Sequence, residues 1–229
     1  MPITLLNPNG PAGLSDRPPL PPEILETVGP AIKGHTYHAD AETGVTCVVW
    51  GATPYRIRPK QRPDYEFSVL LEGSVILTDG EGRDTVVSAG DAFVLPAAFT
   101  YQWGQTEPVL KYALSFKPGQ AAAPGSVFTP FRRASLLAGD AGGTDVLFET
   151  PDGRFRVVRQ AFSGDDDTSE LEAGQTLLTV IDGQVSITEP SSATVVVEAG
   201  ETAFVDIRAA CKIHAQRPAR LIACTVRRP

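Results

Sequence analysis

"DYEFSVLLEGSVILTDGEGRDTVVSAGDAFVLPAAFTYQW", residues 64–103, is the stretch whose pattern decides the fold. Within it "EFSVLLEG", "SVILTD", "DTVVSAG" and "DAFVLP" are apolar runs of strand length, rich in β-branched and aromatic residues. "TDGEGRD" between them reads as a hairpin loop, because its glycines reach positive φ without a Cβ clash. "VTCVVW" upstream and "LKYALSF" downstream extend the series. Short strands at such regular spacing predict an all-β chain folded as an antiparallel sandwich or barrel.

The pattern then recurs. "LLEGSVILTDGEGRDTVVSAGDAFVLP" at 70–96 aligns without a gap to "VIDGQVSITEPSSATVVVEAGETAFVD" at 180–206, a constant offset of 110 residues. Gly73 matches Gly183, Thr78 matches Thr188, and Ala89–Gly90 match Ala199–Gly200. Upstream, "GVTCVVW" at 44–50 is set against "GRFRVVR" at 153–159. Glycine returning at each strand–turn junction is what a repeated backbone conformation demands. The chain is therefore divided into a Pro-rich arm (1–43), a first barrel (44–117), a linker (118–130) around "KPGQAAAPGS", and a second, degenerate barrel (131–229). "FRRASLLAG", 131–139, adds a short helix or arm to the second copy. The leading arm, "DRPPLPPEILETVGPAIKG", lacks the amide donors of a central strand. It is expected to pack against the domain or a partner subunit, with one helical turn near Glu23–Thr27. Duplication makes a pseudo-dimer within one chain and is compatible with a homodimer.

Composition narrows the function classes. Hydrophobic residues make up 42 % of 229, as in a globular protein. A net charge of −7 and a pI near 5.0 argue against nucleic acid or an anionic membrane as the main partner. No apolar run approaches the ~20 residues that span a bilayer. The N-terminus shows no basic region followed by a long apolar one. Three scattered cysteines, Cys47, Cys211 and Cys224, form no disulfide framework and read as small buried hydrophobes. A cytoplasmic protein with a small-molecule ligand is the expectation.

Both repeats resemble cupins, whose first motif runs G-x5-H-x-H-x(3–4)-E-x6-G and whose second runs G-x5-P-x-G-x2-H-x3-N. Glu66 stands seven residues before Gly73, as the Glu and last Gly of the first motif do; Gly90 and Pro96 match the second, and Tyr101 falls at its His. "YEFSVLLEGSVILTDGEG", "GDAFVLPAAFTYQW" and "EPVLKYALSF" are similar to the ethanolamine-utilisation and ureidoglycine aminohydrolase-like subgroup. That resemblance implies two tandem double-stranded β-helix (jelly-roll) barrels. In the first repeat the histidine pair of the family falls near Pro59 and Gln61, or near Lys60 and Arg62, so the usual metal ligands are missing. No metal or other cofactor is expected.

Alternation along a strand puts Glu66, Ser68 and Leu70 on one face, the barrel interior by the resemblance. Tyr101 and Trp103 then point inward from the opposing strand, with Gln61 and Tyr55 joining them. The prolines of "YRIRPKQRP" leave a second register open, in which Arg58 or Arg62 faces inward instead. Glu66 and Tyr101 are the candidate acid–base pair of a small-molecule enzyme, burial being expected to raise the carboxyl toward neutrality. Trp103, Ser68, Gln61, Tyr55 and Arg58 are candidate substrate contacts. A non-catalytic metabolite-binding or regulatory barrel, and a metal-dependent one with atypical ligands, are the alternatives. In the second repeat Thr176 replaces the Glu and Cys211 the His, and that copy reads as scaffold. Cys211 with His214, and His35 with His38 on a segment ahead of the first barrel, are weaker signals for a nucleophile–base pair and a metal site.

Overall fold

The computed structural model describes residues 3–118, 127–139, 142–164, 167–188 and 194–228. The chain divides into two units, Asn7–Arg132 and Met1–Leu6 with Arg133–Pro229. Each is a jelly roll of two antiparallel sheets. Most of the linker sequence, 119–126, lies outside the described residues. No helix among the described residues is long and apolar enough to cross a membrane.

In the first unit a seven-stranded sheet runs, in spatial order, Thr129–Phe131, Ala92–Leu95, Tyr65–Glu72, Val109–Phe116, Val45–Ala52, Ile32–Asp40 and Ser15–Asp16. The facing sheet has Tyr55–Arg56, Thr100–Gln105, Ser74–Asp79 and Asp84–Ser88, with Lys60–Gln61 also pairing onto Thr100–Gln105. Both faces of Tyr65–Glu72 are buried as far as Leu70, so the polar Glu66 and Ser68 that alternate with Tyr65, Phe67 and Val69 are enclosed along with them. Leu70, Val75, Leu77, Val87, Phe93 and Leu95 form the core between the sheets. Each such side chain contributes about 1.5–3 kcal/mol on leaving water.

Two boundaries differ from the sequence expectation. Ile32–Asp40 pairs along Val45–Ala52, so the barrel begins well before residue 44. Its own alternation is weak because this strand lies toward the edge of the sheet. Thr129–Phe131 pairs with Ala92–Leu95, so the end of the supposed linker is a strand of the first unit. The arm turns once as a 3-10 helix at Pro22–Ile24 and packs on its own barrel. The backbone amide of Arg58 donates to the Ile24 carbonyl at 2.7 Å, and that of Glu26 to the Arg56 carbonyl at 2.9 Å.

The second unit repeats the plan with Ile3–Leu5, Thr202–Ile207, Gly174–Asp182, Ala219–Val226, Phe155–Phe162 and Gly143–Glu149 in one sheet. The other holds Asp167–Leu171, Cys211–Ala215, Gln184–Thr188 and Thr194–Glu198. Arg133–Leu137 is the short helix expected near 131–139. Glu66 faces Ser115, which faces Thr46, just as Thr176 faces Thr225, which faces Arg156. The offset of 110 thus extends upstream, and 44–50 corresponds to 154–160, one residue later than the sequence alignment placed it.

Candidate functional site

Glu66 sits in the middle of a buried strand, and the neighbouring Val109–Phe116 strand determines what it meets. A register shift between Leu110 and Lys111 brings Lys111 opposite Leu70, on the same inward face as Glu66. Lys111 Nζ donates to Glu66 Oε1 at 2.5 Å, and Ser68 Oγ donates to the same oxygen at 2.9 Å. The other carboxylate oxygen, Oε2, pairs with Arg62 at 3.0 Å, while Arg62 also grips Asp64 at 2.9 Å. Glu66 and Lys111 are only 6 % and 7 % exposed, so this is an internal ion pair with every carboxylate oxygen taken.

That arrangement overturns the expected raised carboxyl. Burial does push the Glu66 pKa up, but the Arg62 and Lys111 charges and the hydrogen bonds from Lys111 and Ser68 outweigh it and hold it down to about 2. A carboxylate that weakly basic, with a donor on each oxygen, is a poor general base at neutral pH. Burial also pulls the Lys111 ammonium below the usual lysine range, with Glu66 resisting. The ammonium is bedded in aromatic rings: its Nζ lies 5.0 Å from the centroid of Trp103, 5.4 Å from Trp50 and 5.8 Å from Phe93.

A cavity of about 190 Å³ opens in front of this pair. Glu66, Tyr101, Trp103 and Tyr55 line it, as the sequence suggested. Ser68 does not; it stands behind Glu66, fully buried, as a hydrogen-bond donor to it. Gln61 and Arg58 are exposed and absent from the lining, while Lys60, Arg62 and Lys111 take their place. The reason is a one-residue slip. Arg56 pairs with Gly104, but Lys60 pairs with Tyr101, so the inward phase passes from Tyr55 and Ile57 to Lys60 and Arg62. Pro59, without an amide donor, lies at the slip. From the arm, Leu20 and Ile24 close one side.

The remaining polar groups are oriented by their neighbours. Burial pushes the Tyr101 phenol up to about 12, with Arg62 opposing, so it remains a donor at neutral pH. Trp103 Nε1 donates to Gln105 Oε1 at 2.8 Å, and Gln105 Nε2 is tied to the Ala52 carbonyl at 2.9 Å, which fixes the indole. Lys60 is half-buried and takes part in no ion pair among the described residues. Burial, and then the Arg62 charge, hold its pKa below the usual lysine range.

Residue by residue, the first barrel carries the cupin arrangement: the strand order, the motif glutamate, and the paired motif positions now facing one another across the cavity. A family model described as an EutQ-like cupin domain matches residues 39–113. Residues 39–113 thus carry a cupin domain, and the chain has the cupin fold. No curated protein sequence matches this cupin. Among solved structures it is similar to a protein of unknown function from Pseudomonas syringae pv. tomato, with TM-score 0.64 and 18% identity over 98% of this chain and 99% of that one. A cupin 2 conserved barrel domain protein from Leptotrichia buccalis superposes with TM-score 0.65 at 13% identity, covering 86% and 89%. A bacterial pirin from Escherichia coli, solved with nickel(II), gives TM-score 0.56 at 14% identity, covering 99% and 100%. At such identities these likenesses establish the fold alone.

A metal ion is common in cupins, but the donors of this barrel do not fit one. The first-motif histidine positions hold Lys60 and Arg62, the second-motif position holds a protonated phenol, and the glutamate is saturated by two cations. No group of three or more His, Cys, Asp and Glu that could hold an ion occurs among the described residues. The weaker signals also separate. His35 and His38 lie on the strand Ile32–Asp40, on either side of its register shift, and neither lines the cavity. Cys211 is buried in the second core while His214, three residues on and so on the other face of the strand, is half-exposed. In the second barrel Thr176 replaces Glu66 and bonds Thr225 at 2.9 Å, and Leu221 replaces Lys111. Lys111 was missed from sequence, although a lysine inside the apolar run "LKYALSF" is itself a signal that a buried anion faces it.

Proposed function

We propose that the first barrel binds a small carboxylate-bearing metabolite by fixed side-chain charge, without a metal ion. The observation that carries this reading is the charge count of the lining: Lys60, Arg62 and Lys111 against the single carboxylate of Glu66. Lys111 and Arg62 are balanced by Glu66 and Asp64, which leaves Lys60 facing the cavity that Tyr101 also lines. A carboxylate placed there accepts from the Lys60 ammonium and the Tyr101 phenol, a charge-assisted pair of bonds in a partly water-excluded space. Trp50, Trp103, Tyr55, Ile57 and the arm's Leu20 and Ile24 offer an apolar wall to the rest of the ligand. The volume limits that body to a few carbon atoms or one small ring.

Binding, not Glu66-centred acid–base catalysis, is what the geometry favours, because Lys111 and Arg62 hold Glu66 as a weakly basic carboxylate. The test is a thermal-shift and calorimetric series of monocarboxylates from acetate to benzoate, each beside its methyl ester. Carboxylates should bind and their esters should not. Lys60→Met should weaken binding at least tenfold with the fold intact, and affinity should fall as pH rises and Lys60 loses its proton. Equal binding of acid and ester, or an unchanged affinity in the variant, sinks the proposal.

A further inference from the structure

We infer that the second barrel, although its charge pair is gone, has a ligand site of its own for a small uncharged molecule carrying a hydrogen-bond donor and acceptor side by side, such as a primary carboxamide. Gln160 stands where Trp50 stands in the first repeat, on the Phe155–Phe162 strand, and Val158 stands where Val48 does. Both Gln160 and Val158 border a cavity of about 210 Å³, together with Arg156, Ser169, Thr144 and Thr225. Gln160 is 6 % exposed. Its Nε2 donates to Ser169 Oγ at 3.0 Å, but its Oε1 is buried with no hydrogen-bond partner among the described residues.

Arg156, on the same face two pleats earlier, repeats the feature. One terminal nitrogen donates to Glu172 Oε1 at 2.8 Å, yet Nε is buried and unbonded, 3.7 Å from the nearest Glu149 oxygen. Gln160 Oε1 and Arg156 Nε thus lack hydrogen-bond partners on two residues that line one cavity, a situation that buried groups otherwise avoid. A single water needs only about 30 Å³, so the space exceeds what one bridging water fills. The local charge argues against an anion: Arg156 is neutralised by Glu172, and Glu170 stands at the rim. Glu172 is itself held by Arg156 and by Arg227 at 2.6 Å, so its charge is already balanced by two cations. A ligand N–H toward Gln160 and a ligand carbonyl toward Arg156 satisfy both orphans. A primary amide does so in either orientation of the Gln160 amide, since Ser169 can donate or accept.

The experiment is a titration of the full ¹⁵N-labelled chain with propionamide, read at the Gln160 side-chain amide and accompanied by the same titration with propionate. A saturable shift with propionamide and none with propionate supports the site. Gln160→Leu should abolish the saturable thermal shift that propionamide gives, while Lys60→Met leaves it intact, which separates this site from the one in the first barrel. No saturable response up to the solubility limit of the amide, or a response that survives Gln160→Leu, overturns the inference. A soaked crystal showing only ordered water against Gln160 overturns it too. The wild-type titration decides the matter even if the variant fails to fold.

Discussion

At the scale of single residues, Glu66 governs the chemistry of the first barrel through what it neutralises. Its pKa lies below the unfolded value, so its stabilising contribution is complete above the usual carboxylate range and is lost as pH falls toward about 2. A shift of this size corresponds to roughly 3 kcal/mol. Urea midpoints measured from pH 5 to pH 2.5 should therefore drop more steeply for the wild type than for Glu66→Gln. The variant itself should be less stable at neutral pH by about 3–5 kcal/mol, because the buried Lys111 loses its counter-charge. Equal pH slopes for the two proteins would contradict the ion-pair assignment. Glu66, Tyr101 and Trp103 were legible from motif position and alternation. Arg62 was left open beside Arg58 by the uncertain register, and Lys111 was not read, since a charge pair across strands 45 residues apart shows locally only as one lysine in an apolar run.

At the scale of elements, the turns are more revealing than the strands. Gly73 and Gly183, at matching places in the two repeats, have φ of +75° and +77°. A Cβ at Gly73 would sit 2.3 Å from the Pro108 carbonyl oxygen, and one at Gly183 would sit 2.4 Å from that of Pro218. Gly82 shares the positive φ, +81°, but faces open space. Gly82→Ala should thus cost about 1–2 kcal/mol from backbone conformation alone. Gly73→Ala should cost clearly more, because the backbone must also move. Denaturation of the two variants side by side checks this, and a Gly73→Ala no worse than Gly82→Ala would refute it. These glycines were readable as repeat markers from the sequence. The phase of residues 55–62 was not, because a bulge next to a proline shifts the alternation without altering composition. The same blindness to a one-residue slip misplaced the upstream alignment of the second repeat.

At the scale of the molecule, the two-barrel plan was visible because an ungapped offset of 110 residues can hardly arise without a shared backbone. Which edges those barrels needed was invisible. The Ala92–Leu95 strand is flanked by Thr129–Phe131, and its counterpart Thr202–Ile207 by Ile3–Leu5. Short polar-flanked segments such as "MPITLLNP" carry too little pattern to be recognised as strands. Deleting residues 1–6 should lower the thermal midpoint and raise light scattering on heating, through the open edge of Thr202–Ile207. An unchanged midpoint and unchanged scattering would mean that the edge needs no cover.

That small strand also bears on how the polypeptide is made. Ile3–Leu5 is synthesised long before Thr202–Ile207, its only β-ladder partner among the described strands. Through that interval those three residues wait unpaired. A bulky group placed just ahead of them would weigh on the step in which this sheet closes.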